Sequence, residues 1–315
     1  LKDESLGSVF IWFAATLVLF VFNTLLLAIL NGKKEIQRYV TANIAGSLFA
    51  LAVTTVMAIQ LGLYGALVAL AIYQSLTFFV TLTLTYKASW FKLRYLLGGI
   101  DKQSAKNLAK FTVMALTSAA CVPLSHILIR NHLGETLGWE AAGYWEAMWR
   151  LSAAYLMLVT TTLSVYYLPK LSELQDTGDI KKEILQGYKI ILPVAAACGL
   201  VIYLLRDFII RVLFTAEFAE MEVLFGWQMV GDTLKIGSWI LAYLMLGKAM
   251  VKLFILSEIG FAASFYGLTY YFTSVLGLEG VSVAHAVNYF FYWVLMAVFI
   301  GIYFSMKSTE SVYSR

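Results

Sequence analysis

The chain has 315 residues, of which 61% are hydrophobic and only 13% charged; its mean hydropathy is +0.78. That much apolar surface excludes a water-soluble globular domain, and the apolar residues come in blocks long enough to cross a bilayer. The net charge of +4 is not a nucleic-acid signal here, because the basic residues collect in particular loops.

Nine spans follow in chain order, at roughly 7–30, 38–60, 63–86, 107–130, 146–169, 189–213, 223–246, 250–274 and 279–305. The spacing predicts an all-α polytopic membrane protein, since unpaired strand edges are not tolerated in lipid. Between the spans the basic residues alternate from side to side. One set of loops holds Lys33, Lys34 and Arg38, then Lys87 to Lys110, then Lys170, Lys181, Lys182 and Lys189, then Lys248 and Lys252; the opposite loops hold Lys2 and Arg130. By the positive-inside rule the C-terminus is cytoplasmic. The connection 87–106 mixes Trp90, Phe91, Leu93, Tyr95 and Leu96 with basic residues, and reads as an amphipathic linker on the inner leaflet.

A repeat organises the chain. Sliding residues 32–71 by 215 positions places Gly32-Lys33 on Gly247-Lys248, and Gly62-Leu63-x-Gly65 on Gly277-Leu278-x-Gly280. Such repeats are how many transporters are built. The segment that opens at Ala105 then lacks a counterpart by roughly 110 residues, or about three helices. The expectation is an N-terminally truncated piece of a protein with about twelve spans. On this reading 1–86 holds the last three helices of one lobe, 107–306 is a complete six-helix lobe, and 307–315 is a cytoplasmic tail.

Cys121 and Cys198 lie inside apolar runs and show no disulfide or metal spacing. No phosphate-binding glycine loop or metal motif occurs, so neither cofactor nor metal is expected. Charged groups within the spans are costly in lipid and mark a cavity or a partner. Glu146 and Arg150 are four apart on one helix face, either a self-neutralising pair or part of a cationic wall that meets phosphate. Asp232 and Lys235 share a face three apart, as a helix–helix tie or a cavity site. Glu258 follows a loop closely. Arg206, Asp207 and Arg211 read as anchors near the outer surface. His126 and His285 stand isolated, and a lone histidine in a span is more often a satisfied core residue than a proton relay. Trp145, Trp149, Trp227 and Trp239 could stack on sugar rings, against a default of belt or packing roles.

Several segments resemble one family. They are Lys110-Phe-Thr-x-Met-Ala-Leu-Thr-Ser118, Ser164-Val-Tyr-x-Leu-Pro169-x-Leu-Ser172, Leu204-Leu-Arg-Asp-Phe208, Phe225-x-Trp-Gln-x-Val-Gly-Asp232-x-Leu-Lys235 and Lys248-Ala249. In this order they resemble the Wzx flippases of Gram-negative bacteria, especially those serving enterobacterial common antigen and O-antigen synthesis. The resemblance covers the second lobe well and the first loosely. It implies the two-lobed, six-plus-six fold of the multidrug/oligosaccharidyl-lipid/polysaccharide exporter superfamily, in the bacterial inner membrane. It implies a non-enzymatic flippase for an undecaprenyl-pyrophosphate-linked oligosaccharide, a lipid III or O-antigen unit, moved to the periplasmic leaflet by alternating access.

The partners expected are that substrate, membrane lipid and other surface-polysaccharide assembly proteins, with no nucleic acid. Arg150, Lys235, Trp149 and Trp227 are then candidates for substrate binding, and Glu146, Asp232 and Glu258 for ion coupling. Relatives often carry a carboxylate where Ala153 stands, so a coupling role does not carry over to that position. Two alternatives stay open: a drug exporter of the same superfamily, which would favour an acidic cavity, and a membrane glycan polymerase, which would need a larger outer loop.

Overall fold

The computed structural model describes residues 4–86, 88–92, 99 and 101–313, with side chains over 7–307. All regular structure among the described residues is helical. Two compact units divide at 100/101.

In the first unit, α1 (Glu4–Gly32) packs on α2 (Ile36–Tyr86). The buried contact includes Asn23, whose amide donates to Thr77 Oγ1 at 3.1 Å. α2 is too long for a single crossing, and it breaks at Gly62, where φ is 61° and ψ −143°. That conformation is open almost only to glycine, because no Cβ obstructs it. The break restores the two expected spans, so the helices long and apolar enough to cross a membrane correspond to the nine predicted.

The second unit holds α3 (Lys102–Thr136), α4 (Trp139–Thr162), α5 (Leu168–Glu173), α6 (Thr177–Leu204), α7 (Arg206–Leu213), a 3-10 segment (Ala216–Leu224), α8 (Phe225–Gly247), α9 (Val251–Leu276) and α10 (Glu279–Tyr313). Asp101 caps α3 by accepting the Ser104 amide at 2.7 Å, and Asp176 caps α6 through the amides of Gly178 and Asp179. These carboxylates satisfy N–H groups that a helix start leaves free. α4 reaches α5 through a π-helical turn, Leu163–Tyr167, closed by the Leu168 amide on the Leu163 carbonyl.

α8 is the centre of this unit. Within its apolar window 61% of residues are buried, against 17–28% for the other spans. It contacts α10, α6 and α5, because its small residues let partners close in. A Cβ at Gly237 would stand 2.9 Å from the Trp293 ring. Leu163, Tyr167, Ile236, Ile240, Leu244 and Met296 fill one core cluster, and Trp145, Met148, Leu224, Phe225, Val281 and Ala284 another.

The 215-residue offset returns in the backbone. Gly277 has φ 62° and ψ −138°, matching Gly62. Among the described residues the two non-glycine residues at positive φ, Lys34 (58°) and Ala249 (51°), are related by the same offset. At Gly65 and Gly280 a Cβ would collide with the carbonyl oxygens of Met57 and Phe272, at 2.1 and 2.3 Å. Met57 and Phe272 are themselves 215 apart.

Several boundaries differ from the sequence reading. Where spans were expected to end at 130 and begin again at 146, α3 runs to Thr136 and α4 starts at Trp139. The span expected over 189–213 runs from Thr177 to Leu204, and Arg206–Leu213 forms a separate helix. The expected tail is largely helical, since α10 continues to Tyr313. Of the expected linker, Lys87, residues 93–98 and Ile100 lie outside the described residues. Trp90 turns back onto the first unit, donating to Glu35 Oε1 at 2.9 Å, and the linker's end is already α3.

Candidate functional site

A cavity of about 410 Å³ lies within the second unit, walled by α3, α4, α8, α9 and α10. Its size suits a small ligand or part of a larger one. Two charged side chains open into it, Lys235 from α8 and Glu258 from α9, with Trp149, Trp239, Tyr289 and His126 around them.

Lys235 is held by aromatic faces. Its ammonium lies 4.7 Å from the Trp149 ring centre, 4.9 Å from Trp239 and 5.7 Å from Tyr289. Cation–π attraction contributes roughly 0.5–2 kcal/mol per contact, more where water is excluded. The helix places these groups by spacing, since Lys235 and Trp239 are i, i+4 on one face of α8. Such a cage fixes the cation while leaving its hydrogen-bond donors available to an anion. Across the cavity, Glu258 Oε2 accepts from Ser118 Oγ at 3.0 Å.

Asp232 faces another way. It is buried, and its Oδ2 accepts from the Tyr155 hydroxyl at 2.7 Å. Its Oδ1 accepts from Gln228 Nε2 at 3.3 Å and from His285 Nε2 at 3.0 Å. Gln228 also donates to Ser152 Oγ at 3.2 Å. Asp232 is thus a helix–helix tie among α4, α8 and α10, and Lys235 is the cavity group of that pair.

The remaining candidates separate. Arg150 Nε pairs with Glu146 Oε1 at 2.9 Å, but the Arg150 side chain is 78% exposed and neither residue lines this cavity. Trp227 lines a larger cavity of about 1000 Å³ between α6, α8 and the 3-10 segment. There Arg206 is already paired with Glu222 at 2.9 Å. The smaller cavity is the better site because Lys235 and Glu258 open into it without an ion-pair partner among the described residues, so their charges are left for a ligand.

His126 and His285, isolated in the sequence, both have partners in the structure. His126 packs edge-on to Trp149, with ring centres 4.2 Å apart, and His285 is the partner of Asp232. A carboxylate within an apolar span demands a partner, and that demand pointed to the few polar residues of the facing spans. Nothing in the sequence selected His285, 53 residues away, over its rivals.

The family model for "Polysaccharide biosynthesis protein" matches residues 1–223. The chain is 33% identical over 275 residues to the lipid III flippase of Escherichia coli (strain K12), and equally to that of Shigella flexneri. Those matches take in 87% of this chain and 66% of each relative, so the chain spans about two thirds of their length. Among solved structures it is similar to an outward-facing multidrug resistance MATE family transporter of the MOP superfamily (TM-score 0.83, 14% identity, 95% of this chain and 70% of that one). A Vibrio cholerae MATE transporter gives a TM-score of 0.79 at 14% identity, over 96% and 69%. Identities this low show a shared fold alone. The chain is therefore a multi-pass membrane protein with a MATE-like helical fold, and it belongs to the polysaccharide biosynthesis protein family.

Proposed function

We propose that this protein is a flippase, not an enzyme, for a polyprenyl-pyrophosphate-linked oligosaccharide of the lipid III or O-antigen class. It moves the substrate from the cytoplasmic to the periplasmic leaflet of the bacterial inner membrane by alternating access. The observation that carries this reading is the similarity to lipid III flippases along 87% of the chain. The alternation of basic loops supports a cytoplasmic C-terminus.

The chemistry of the cavity fits such a cargo. A sugar pyrophosphate cannot cross hydrocarbon unaided, because its charge and hydroxyls lose water without replacement. The polyprenyl tail has no such barrier. Lys235 supplies a positive charge for phosphate oxygens, while Trp149 and Trp239 offer flat apolar faces for sugar rings. Glu258, hydrogen-bonded but open to the same space, is the carboxylate placed to exchange an ion with the cavity. One ammonium and one carboxylate do not by themselves separate a glycan cargo from a drug; the family membership favours the glycan.

Complementation of a flippase-null strain with the full-length protein tests the reading, with the restored surface polymer as readout. Lys235→Met is expected to abolish restoration, and Lys235→Arg to keep much of it at equal membrane levels. No surface polymer from the wild-type protein, together with export of a cationic drug, would replace the reading with that of a drug exporter.

A further inference from the structure

The buried pair at the α8–α10 contact does more than tie helices. We infer that His285 and Asp232 form a proton-binding site, loaded at His285 Nδ1 and linked to the binding of an anion in the Lys235 cavity. The second half of this statement rests on the flippase reading; the first does not.

Both side chains are 1% exposed, so each polar atom needs a partner. Asp232 has its partners: Tyr155 on one oxygen, Gln228 and His285 on the other. His285 has one only. Its Nε2 is committed to the carboxylate, while Nδ1 is buried without a hydrogen-bond partner among the described residues. Buried polar atoms are as a rule hydrogen-bonded, so an orphaned ring nitrogen beside a carboxylate calls for an explanation. Here a vacant lone pair sits one ring-width from a carboxylate that can balance an added charge. A proton arriving at Nδ1 turns the neutral imidazole into an imidazolium, and the contact at Nε2 becomes an ion pair with no movement of heavy atoms.

The local backbone makes room for this ring. A Cβ at Gly231 would stand 2.2 Å from His285 Cδ2 and 3.0 Å from the Ala286 amide nitrogen. The residue just before Asp232 is therefore bare where the imidazole lies against α8. Any larger residue would push His285 off the carboxylate.

The ring also communicates with the cavity. Its centre lies 5.8 Å from that of Trp149 and 4.9 Å from that of Tyr289, both edge-on, and these two rings hold the Lys235 ammonium. The charged and titratable groups acting on His285 are Asp232 and Lys235 from α8. Tyr155 reaches it through Asp232 from α4, and Tyr289 lies beside it on α10 itself. α9 presents the Phe265 ring, 5.8 Å away, and its Glu258 acts on Tyr289 instead. His126 of α3 stands behind Trp149 and is within its electrostatic reach.

Without the extra proton, Asp232 and Lys235 sum to zero; with it, the group carries one positive charge. An anion entering the cavity favours the protonated state, and by reciprocity the protonated state favours the anion. Proton uptake is thus the means by which the bundle compensates a phosphate charge brought into low dielectric.

Calorimetry on the purified full-length protein tests the linkage, with geranyl pyrophosphate as probe in buffers of different ionisation enthalpy. The wild type is expected to take up a proton as the probe binds, with affinity rising up to about tenfold per unit fall in pH. His285→Gln, which keeps an N–H for Asp232, is expected to lose both effects. The probe's own ionisation is common to the two proteins and cancels in the comparison. Equal proton uptake by the two proteins overturns the linkage.

If the wild type binds no probe, the flippase reading of the cavity fails, and the proton site is judged without ligand. In a His126→Gln background, the fluorescence contributed by Trp149 (its loss in Trp149→Phe) is followed from pH 5 to 9. This readout does not need the His285 variant to fold. A one-proton titration supports the site, and a flat profile overturns it.

Discussion

The paired turns of the repeat set up opposite outcomes for one chemical change, glycine to alanine. At Gly277 the backbone sits at φ 62° and ψ −138°, where a Cβ meets its own carbonyl; holding an L-residue there costs about 1–3 kcal/mol. Alanine regains roughly 0.4–1 kcal/mol by narrowing the unfolded ensemble. The net expectation for Gly277→Ala is a loss of about 1–2 kcal/mol. Gly62→Ala, in the same conformation, carries the same expected loss. Gly267 lies inside α9 with nothing within 4 Å of a Cβ. Gly267→Ala meets no clash and removes the helix penalty of glycine, so it is expected to stabilise by about 0.5–1 kcal/mol. Thermal unfolding of the detergent-solubilised full-length protein reads the difference, with the turn variants melting roughly 2–6 °C lower. A Gly277→Ala protein as stable as Gly267→Ala would refute the strain argument, and unequal losses at Gly62 and Gly277 would refute the equivalence of the two turns.

Three further outcomes are expected. Exchanging Asp232 and Lys235 puts an ammonium among Tyr155, Gln228 and His285 and leaves the aromatic cage facing a carboxylate. A stability loss above about 3 kcal/mol is expected, read as failure to accumulate in the membrane. Arg150→Lys is expected to change stability by less than about 0.5 kcal/mol in the same melting assay, because the Glu146 pair is exposed; loss of transport in that variant would then report a lost bidentate phosphate contact and not misfolding. At the start of α3, the Ser104 side chain and amide hold the Asp101 carboxyl below its ordinary value. A depressed folded-state value means the cap is fully effective above about pH 4 and is lost as pH falls through that lower value. Protection of the amides in the first turn of α3, measured against their intrinsic exchange rates, is expected to fall below about pH 4, and not in Asp101→Ala.

The spans were legible because a bilayer dictates apolar length, and the ends at Gly62 and Gly277 because those glycines mark turns. The repeat was legible for the same reason, since its glycines are demanded by backbone conformation at Gly62 and Gly277 and by close approach at Gly65 and Gly280. The break after Leu204 left no such mark, as neither glycine nor proline stands there. Lys235, Trp149 and Glu258 were singled out by charge or aromatic character alone, and the structure brings all three to one cavity. The division between Asp232 and Lys235 was not legible. Three-residue spacing puts two groups on one face without saying which neighbour each meets, and those neighbours come from helices distant in sequence.

The π-helical turn at Leu163–Tyr167 stores one residue more than an α-helix needs, and so works as a length reserve. The Tyr167 hydroxyl reaches the Ile240 carbonyl at 3.3 Å, Ser164 meets Tyr243 at 3.1 Å, and beyond the turn Lys170 meets Glu183 at 2.6 Å. Removing the exposed Tyr166 would let the segment close as ordinary α-helix, the deletion being absorbed by the wide turn, so that the residues after it keep nearly their present facing towards α8. Lys170 would stay within reach of Glu183, and the wall before the turn would keep its facing as well. A bundle built this way can therefore gain or lose a single residue at this level without re-aiming either end of the helix.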